Sequence, residues 1–252
     1  MDRIDWTRLG AEDPLKQELI GSYISLYSSR SLPLQTICFE GNRSIPNLEY
    51  GIYYLRPGVC EELHPSNDND YGNALSIVFY LKHGRHSILF AGDMTPGGMS
   101  HVLNEGYGTE KRYSVLDRSF TEQHPDWHNS TVDQPSLRSL LRCHGLSVLV
   151  VPHHGLESCY SEDLFSTMLG GKPSLNVISE RRKPKEGQGR CHPCYQSEAG
   201  ASGLTVAVEG YSQVRRSVTT INGHHILIVF SGNGAPRVHA DRDPARLLKY
   251  AV

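Results

Sequence analysis

Two runs that flank a short turn constrain the fold of this chain more than anything else in it. Residues 74–82 read ALSIVFYLK and residues 87–91 read SILFA, with HGR near the turn between them. Both are almost wholly apolar or β-branched, which predicts an antiparallel hairpin buried on at least one face. A third run of the same kind, LSVLVV at 146–151, ends at Pro152 and is expected in the same sheet. A fourth strand is expected at 175–179 (LNVIS).

Other segments take weaker readings. Residues 12–29 carry Leu15, Leu19, Ile20, Tyr23, Ile24 and Tyr27 at helical spacing, behind an Asp13 cap and a first-turn Pro14. Short β-prone runs cover 34–39 and 50–55, with Pro57 closing the second. Residues 60–73 are polar and read as a loop, and 96–105 as a helix. Residues 106–135 read as a loop or insertion. Residues 161–169 (SEDLFSTML) read as a helix capped by Ser161. A loop is expected over 181–197. Residues 216–221 and 225–230 are expected to pair as a hairpin around Asn222 and Gly223. The segment 233–252 is polar and expected to be a peripheral tail.

Strands and helices alternate in the middle of the chain, with hairpins at either end. That order predicts an α/β domain of sheets packed with outer helices. The 252 residues, 38% hydrophobic and 21% charged, suit a single domain. No glycine-rich phosphate loop follows a strand, which argues against a doubly wound dinucleotide fold. Net charge is −2, so no bulk basic field announces nucleic-acid binding. The basic stretch Arg181, Arg182, Lys183, Lys185, Arg190 reads first as a solvated loop. No run approaches the roughly 18 apolar residues of a membrane span, and MDRIDWTRLG lacks the apolar core of a signal peptide. A cytoplasmic location is expected, with the six cysteines mostly reduced. Cys191 and Cys194 form a CxxC with no second CxxC to complete a zinc site.

The residues that carry chemistry sit where strands end. Asp93 follows SILFAG, His153 and His154 follow LSVLVVP, and His192 lies in the loop after LNVIS. One carboxylate and two or three imidazoles at strand ends form a metal-ligand inventory suited to zinc or manganese. Each alone has an ordinary reading: a Gly-Asp is a common turn, and a His-His pair is commonly a hydrogen-bonded surface pair. Among the other histidines, His83 and His86 read as solvated, and His224 and His225 as structural. His64 is a candidate extra ligand, while His124, His128 and His239 (beside Asp241 and Asp243) are weaker ones.

Taken together, Asn73 with Ser76, the strand ending in Gly92 and Asp93, the Pro-His-His-Gly of 152–155, the His-Pro of 192–193 and the Thr219 to Gly223 segment resemble the metallo-β-lactamase superfamily. The likeness is to its ComEC-like branch and covers roughly residues 70–232. It implies an αββα sandwich with one or two zinc or manganese ions at one edge. It implies that Asp93 bridges the metals and that one of His153 and His154 is a ligand while the other orients it or touches substrate. His192, Ser76 and Asn73 would be substrate-facing or supporting groups. The implied chemistry is metal-bound hydroxide attacking an ester or phosphodiester, with a small molecule or a nucleic acid as substrate.

One departure matters as much as the likeness. None of the 13 histidines falls in the His-x-His-x-Asp-His pattern that precedes the Gly-Asp strand in that superfamily. The reading favoured on this ground is a fragment, incomplete at its N-terminus and lacking half the metal site. The alternative is a degenerate, non-catalytic module that binds protein or nucleic acid. A third is an unrelated α/β binding protein with an incidental His-His pair.

Overall fold

The computed structural model describes residues 48–55, 57–65, 68–104, 136–180, 191–230 and 234–250. The expected helix at 12–29, the run at 34–39, the segment 106–135 and the basic stretch 181–190 lie outside the described residues.

The described chain is mixed α/β, with two mixed sheets. The larger runs in the order β1 (Leu48–Tyr53), β2 (Val78–His83), β3 (His86–Phe90), β4 (Val148–Val150), β5 (Leu175–Ile178), β8 (Ser217–Thr219). Its β1, β2 and β3 are antiparallel neighbours, whereas β3, β4, β5 and β8 are parallel. The smaller sheet has the order β7 (Tyr211–Arg215), β6 (Leu204–Val208), β10 (Arg237–Asp241), β9 (His225–Val229). The helices are α1 (Pro57–Leu63), α2 (Asp68–Ala74), α3 (Pro96–Asn104), α4 (Leu137–His144), α5 (Glu162–Thr167) and α6 (Pro244–Leu248).

Alternation along the strands divides the interior into two cores. Leu89, Leu149 and Ile178 point to one face of the larger sheet, into a cluster with Met99 and Leu103 of α3, Leu137 and Leu141 of α4, and Leu164 of α5. Ile88, Val148 and Val177 point to the other face and meet Val206 and Val238 of the smaller sheet. The central strands are therefore covered on both sides, which is why their sequence shows no polar alternation. On the smaller sheet, Val238 faces inward, so its neighbour His239 faces outward, where its ring stacks on Tyr250 just after α6 at 3.9 Å.

The hairpin and its third neighbour are as expected, with β2, β3 and β4 side by side. Four expectations need correction. Ala74 ends α2 rather than opening the strand, which starts at Val78. Residues 60–63 and 68–73 are not loop but belong to α1 and α2. Cys60, Tyr71 and Ala74 are fully buried there while Glu61 and Glu62 are exposed, a short amphipathic pattern that polar composition concealed. Pro57 opens α1 at the helix position where a missing N–H costs nothing.

The third correction concerns Asn222 and Gly223. A turn does form there, with Gly223 N–H donating to Thr220 O, but it joins the two sheets instead of closing a hairpin. β8 pairs with β5, and β9 pairs with β10. Last, the segment 233–252 is no peripheral tail: β10 lies between β6 and β9, with Val238 and Ala240 buried. The hairpin not anticipated is β6–β7, turned by Glu209 and Gly210, both at positive φ as such two-residue loops require.

His239 yields a prediction. Both its ring nitrogens are buried without a hydrogen-bond partner. Burial, and then the charge of Arg237, push its pKa below the ordinary 6.5. The folded state thus favours the neutral ring, and the unfolded chain binds the extra proton first. This contribution is complete above 6.5 and declines as pH falls from there towards the lower folded value. His239→Phe keeps a ring against Tyr250 and removes the proton site. Its thermal midpoint should fall less than that of the wild type on acidification, measured by circular dichroism from neutral to mildly acidic pH.

Candidate functional site

The ends of β3, β4 and β5 lie on one edge of the larger sheet because those strands are parallel. β3 runs into Gly92 and Asp93. Gly92 has φ +59, and a Cβ there would stand 2.9 Å from Ser76 Cβ. That close approach lets the Asp93 N–H donate to Ser76 Oγ at 3.0 Å. Ser76 is itself held by its N–H to Asn73 O, so the junction between α2 and β2 frames the Asp93 turn.

β4 runs into Pro152 and then three successive residues with positive φ: His153 at 44°, His154 at 61° and Gly155 at 77°. Two adjacent non-glycine residues in the left-handed region are uncommon and cost free energy. Hydrogen bonds hold the turn. His153 N–H donates to Gly92 O at 3.0 Å, Leu156 N–H to His153 O, and His192 N–H to Gly155 O at 2.8 Å. Cys191 forms a β-bridge with Leu156. The Asp93 turn, the His-His pair and the His192 segment are therefore bonded to one another through their backbones.

Their side chains differ in what they do. His154 Nδ1 lies 2.5 Å from Ser179 O, and a carbonyl only accepts, so Nδ1 carries the proton and Nε2 keeps its lone pair. His153 Nδ1 faces two donors, Asn73 Nδ2 at 3.4 Å and the Cys159 thiol at 3.3 Å, so it accepts and its proton sits on Nε2. Burial pushes the Cys159 thiol up, and the Asp70 and Asp93 carboxylates act in the same direction. His192 is turned to other work: its Nδ1 accepts from Cys194 N–H at 3.2 Å, and its ring stacks on Tyr160 at 4.0 Å. His64 Nε2 is bonded to Thr95 Oγ1 at 3.1 Å. His239, out on the smaller sheet, stands away from the rim against Tyr250.

Cys159, Asp70, Tyr160 and Ser179 belong to this neighbourhood and were not singled out from the sequence. Cys159 carried a faint signal, six residues after His153; the others reach the rim only through folding.

The donors can be weighed against a metal ion. His154 fits, since a ligating histidine gives its other N–H to a carbonyl or carboxylate. His153 is set for the opposite proton arrangement. Among the described residues no group of three or more His, Cys, Asp or Glu side chains is arranged to hold a metal. The donor types are right but their number is not, and the described residues do not fit a complete hydrolytic metal centre. Comparison with family models, curated proteins and solved structures found no match to the chain.

The Gly92 contact gives a test of how the rim is held. Gly92→Ala places a Cβ against Ser76 at a positive φ and should cost about 1–3 kcal/mol in urea unfolding. Adding Ser76→Gly removes the clash but not the backbone strain, and it also takes away the acceptor for Asp93 N–H, so the double variant should recover little of that loss.

Proposed function

We propose that the rim carried by Asp93, His153 and His154 is part of the centre of a metal-dependent hydrolase of the metallo-β-lactamase type. The observation that carries this reading is the strained pair at the end of β4: two left-handed histidines, one clamped through Nδ1 to Ser179 O with Nε2 left over. Strain of this kind persists where the surrounding structure over-determines it, and it clusters at functional sites. The order of layers also favours an αββα sandwich, with α3, α4 and α5 on the larger sheet, the smaller sheet behind it, and α6 outside.

Within this reading, zinc or manganese is the metal, in one or two ions. Asp93 is the carboxylate donor and His154 the imidazole donor. His153 is the orienting or substrate-facing member, held by Asn73 and Cys159. His192 and Ser76 support the rim from behind. The substrate class is an ester or phosphodiester, from a small molecule or a nucleic acid. The cytoplasm is the proposed location. It is supported by Cys60, Cys143, Cys159, Cys191 and Cys194, which are all free among the described residues.

A second reading is a non-catalytic module of the same architecture that binds protein or nucleic acid. What favours it is that no three donors converge among the described residues.

Zinc calorimetry on the metal-free chain, with zinc- and manganese-supplemented phosphodiesterase and esterase assays, separates the two. Under the first reading, Asp93→Ala and His154→Ala each weaken a zinc site at least tenfold, while His153→Ala does so less. Turnover by the chain alone should be slight, because few donors meet at the rim among the described residues. Zinc binding that ignores Asp93 and His154, with no turnover, would overturn the hydrolase reading in favour of the module. Strong turnover lost in Asp93→Ala would reveal ligands beyond those named here.

A further inference from the structure

The geometry points to a second cation site at the opposite end of β3: a two-histidine chelate across the β2–β3 hairpin, formed by His83 and His86 and suited to a borderline divalent ion such as nickel or zinc. This inference is independent of the rim. Asp93 lies beyond the last residue of β3, whereas His86 is its first.

His83 and His86 are register partners, directly opposite each other on neighbouring strands. The loop between them is only Gly84 and Arg85, and Gly84 takes φ +60, a conformation suited to the first position of so tight a turn. Directly opposed residues share a face, with Cβ atoms about 4.5–5.5 Å apart, within the span that two imidazoles on one ion can bridge. The face is the one that carries Leu81 and Ile88, so the pair sits at the margin of the core between the sheets. Phe230 stacks against His86 at 6.1 Å, with the rings 8° from parallel.

The sequence alone suggests two solvated histidines at a turn, but the structure leaves both half-buried, with one nitrogen of each ring out of reach of solvent. His83 Nδ1 and His86 Nε2 are both buried and both lack a hydrogen-bond partner. Buried polar groups are seldom left so, because each has lost water without replacement. A shared cation would satisfy both at once. His86 is already oriented for it: its Nδ1 lies 3.3 Å from Ser147 Oγ, and that hydroxyl is fixed in turn by accepting from Ser87 N–H at 3.3 Å. In the tautomer whose Nδ1–H donates to Ser147 Oγ, Nε2 presents its lone pair, the arrangement that outer hydrogen bonds impose on ligating histidines. Neutral imidazole suits nickel, zinc and copper over harder ions. No third His, Cys, Asp or Glu joins the pair among the described residues, so the two imidazoles are its protein donors and affinity should be modest.

The test uses the full chain carrying Asp93→Ala and His154→Ala, which removes the rim donors, titrated with Ni²⁺ by calorimetry. One ion per chain is expected. Adding His83→Gln and His86→Gln should lower the affinity at least tenfold and abolish any nickel-dependent rise in the thermal midpoint. Ser147→Ala should weaken binding about tenfold by freeing the His86 ring. Absence of nickel binding in the parent, or the same affinity after both hairpin substitutions, would overturn the site. If the substituted hairpin fails to fold, the unsubstituted chain still decides. Paramagnetic Co²⁺ should broaden the ring resonances of His83 and His86, and sharp signals from both at saturation would overturn it as well.

Discussion

Val148 and Leu149 are neighbours in β4 that point to opposite faces of the larger sheet, and neither reaches water. Each such side chain contributes about 1.5–3 kcal/mol only if it stays covered. A sheet built from strands like this needs a layer on each face. The helices supply one, and the smaller sheet supplies the other through Val206 and Val238. With both faces closed, polar groups are left the edges and the strand ends. The parallel direction of β3, β4 and β5 then gathers Asp93 and His153–His154 at a single rim.

That rim is held against backbone preference. His153 and His154 adopt left-handed angles that glycine would take without penalty. A bond to Gly92, another from the His192 segment and the Ser179 contact to the His154 ring offset the cost. Side-chain contacts give the two rings different proton arrangements although they are adjacent in sequence. His154 presents a free Nε2, while His153 accepts from a buried thiol and an amide.

The hairpin and its parallel neighbour were legible because continuous apolar runs specify two-sided burial without reference to anything distant. Ser161 was legible as a cap because its partner, Leu164 N–H, is three residues away. Segments failed where the deciding partner was remote. Asn222 and Gly223 encode a turn between β8 and β9, but those strands do not pair with each other: β8 lies beside β5, with Val177 and Val218 in the inter-sheet core. Polar composition hid α1, α2 and β10 for a similar reason. Each buries only a few residues, against surfaces that local sequence does not announce. The β6–β7 hairpin escaped because Glu209 is an unusual residue at positive φ.

The candidate site divides along the same line. The sequence by itself determined which residues stand at strand ends, since the apolar runs stop at Gly92, Pro152 and Ser179; the parallel pairing of β3, β4 and β5 then put Asp93, His153 and His154 on one edge. Tertiary structure alone decided what each side chain does there. It turned His192 onto Tyr160, locked His154 on Ser179, brought Cys159 and Asn73 to His153, and buried one ring nitrogen each of His83 and His86. A strand end is a property of local composition, whereas the proton on a given nitrogen depends on the atom that packing brings within 3.5 Å of it, and that atom can lie 80 residues away, as Asn73 does from His153.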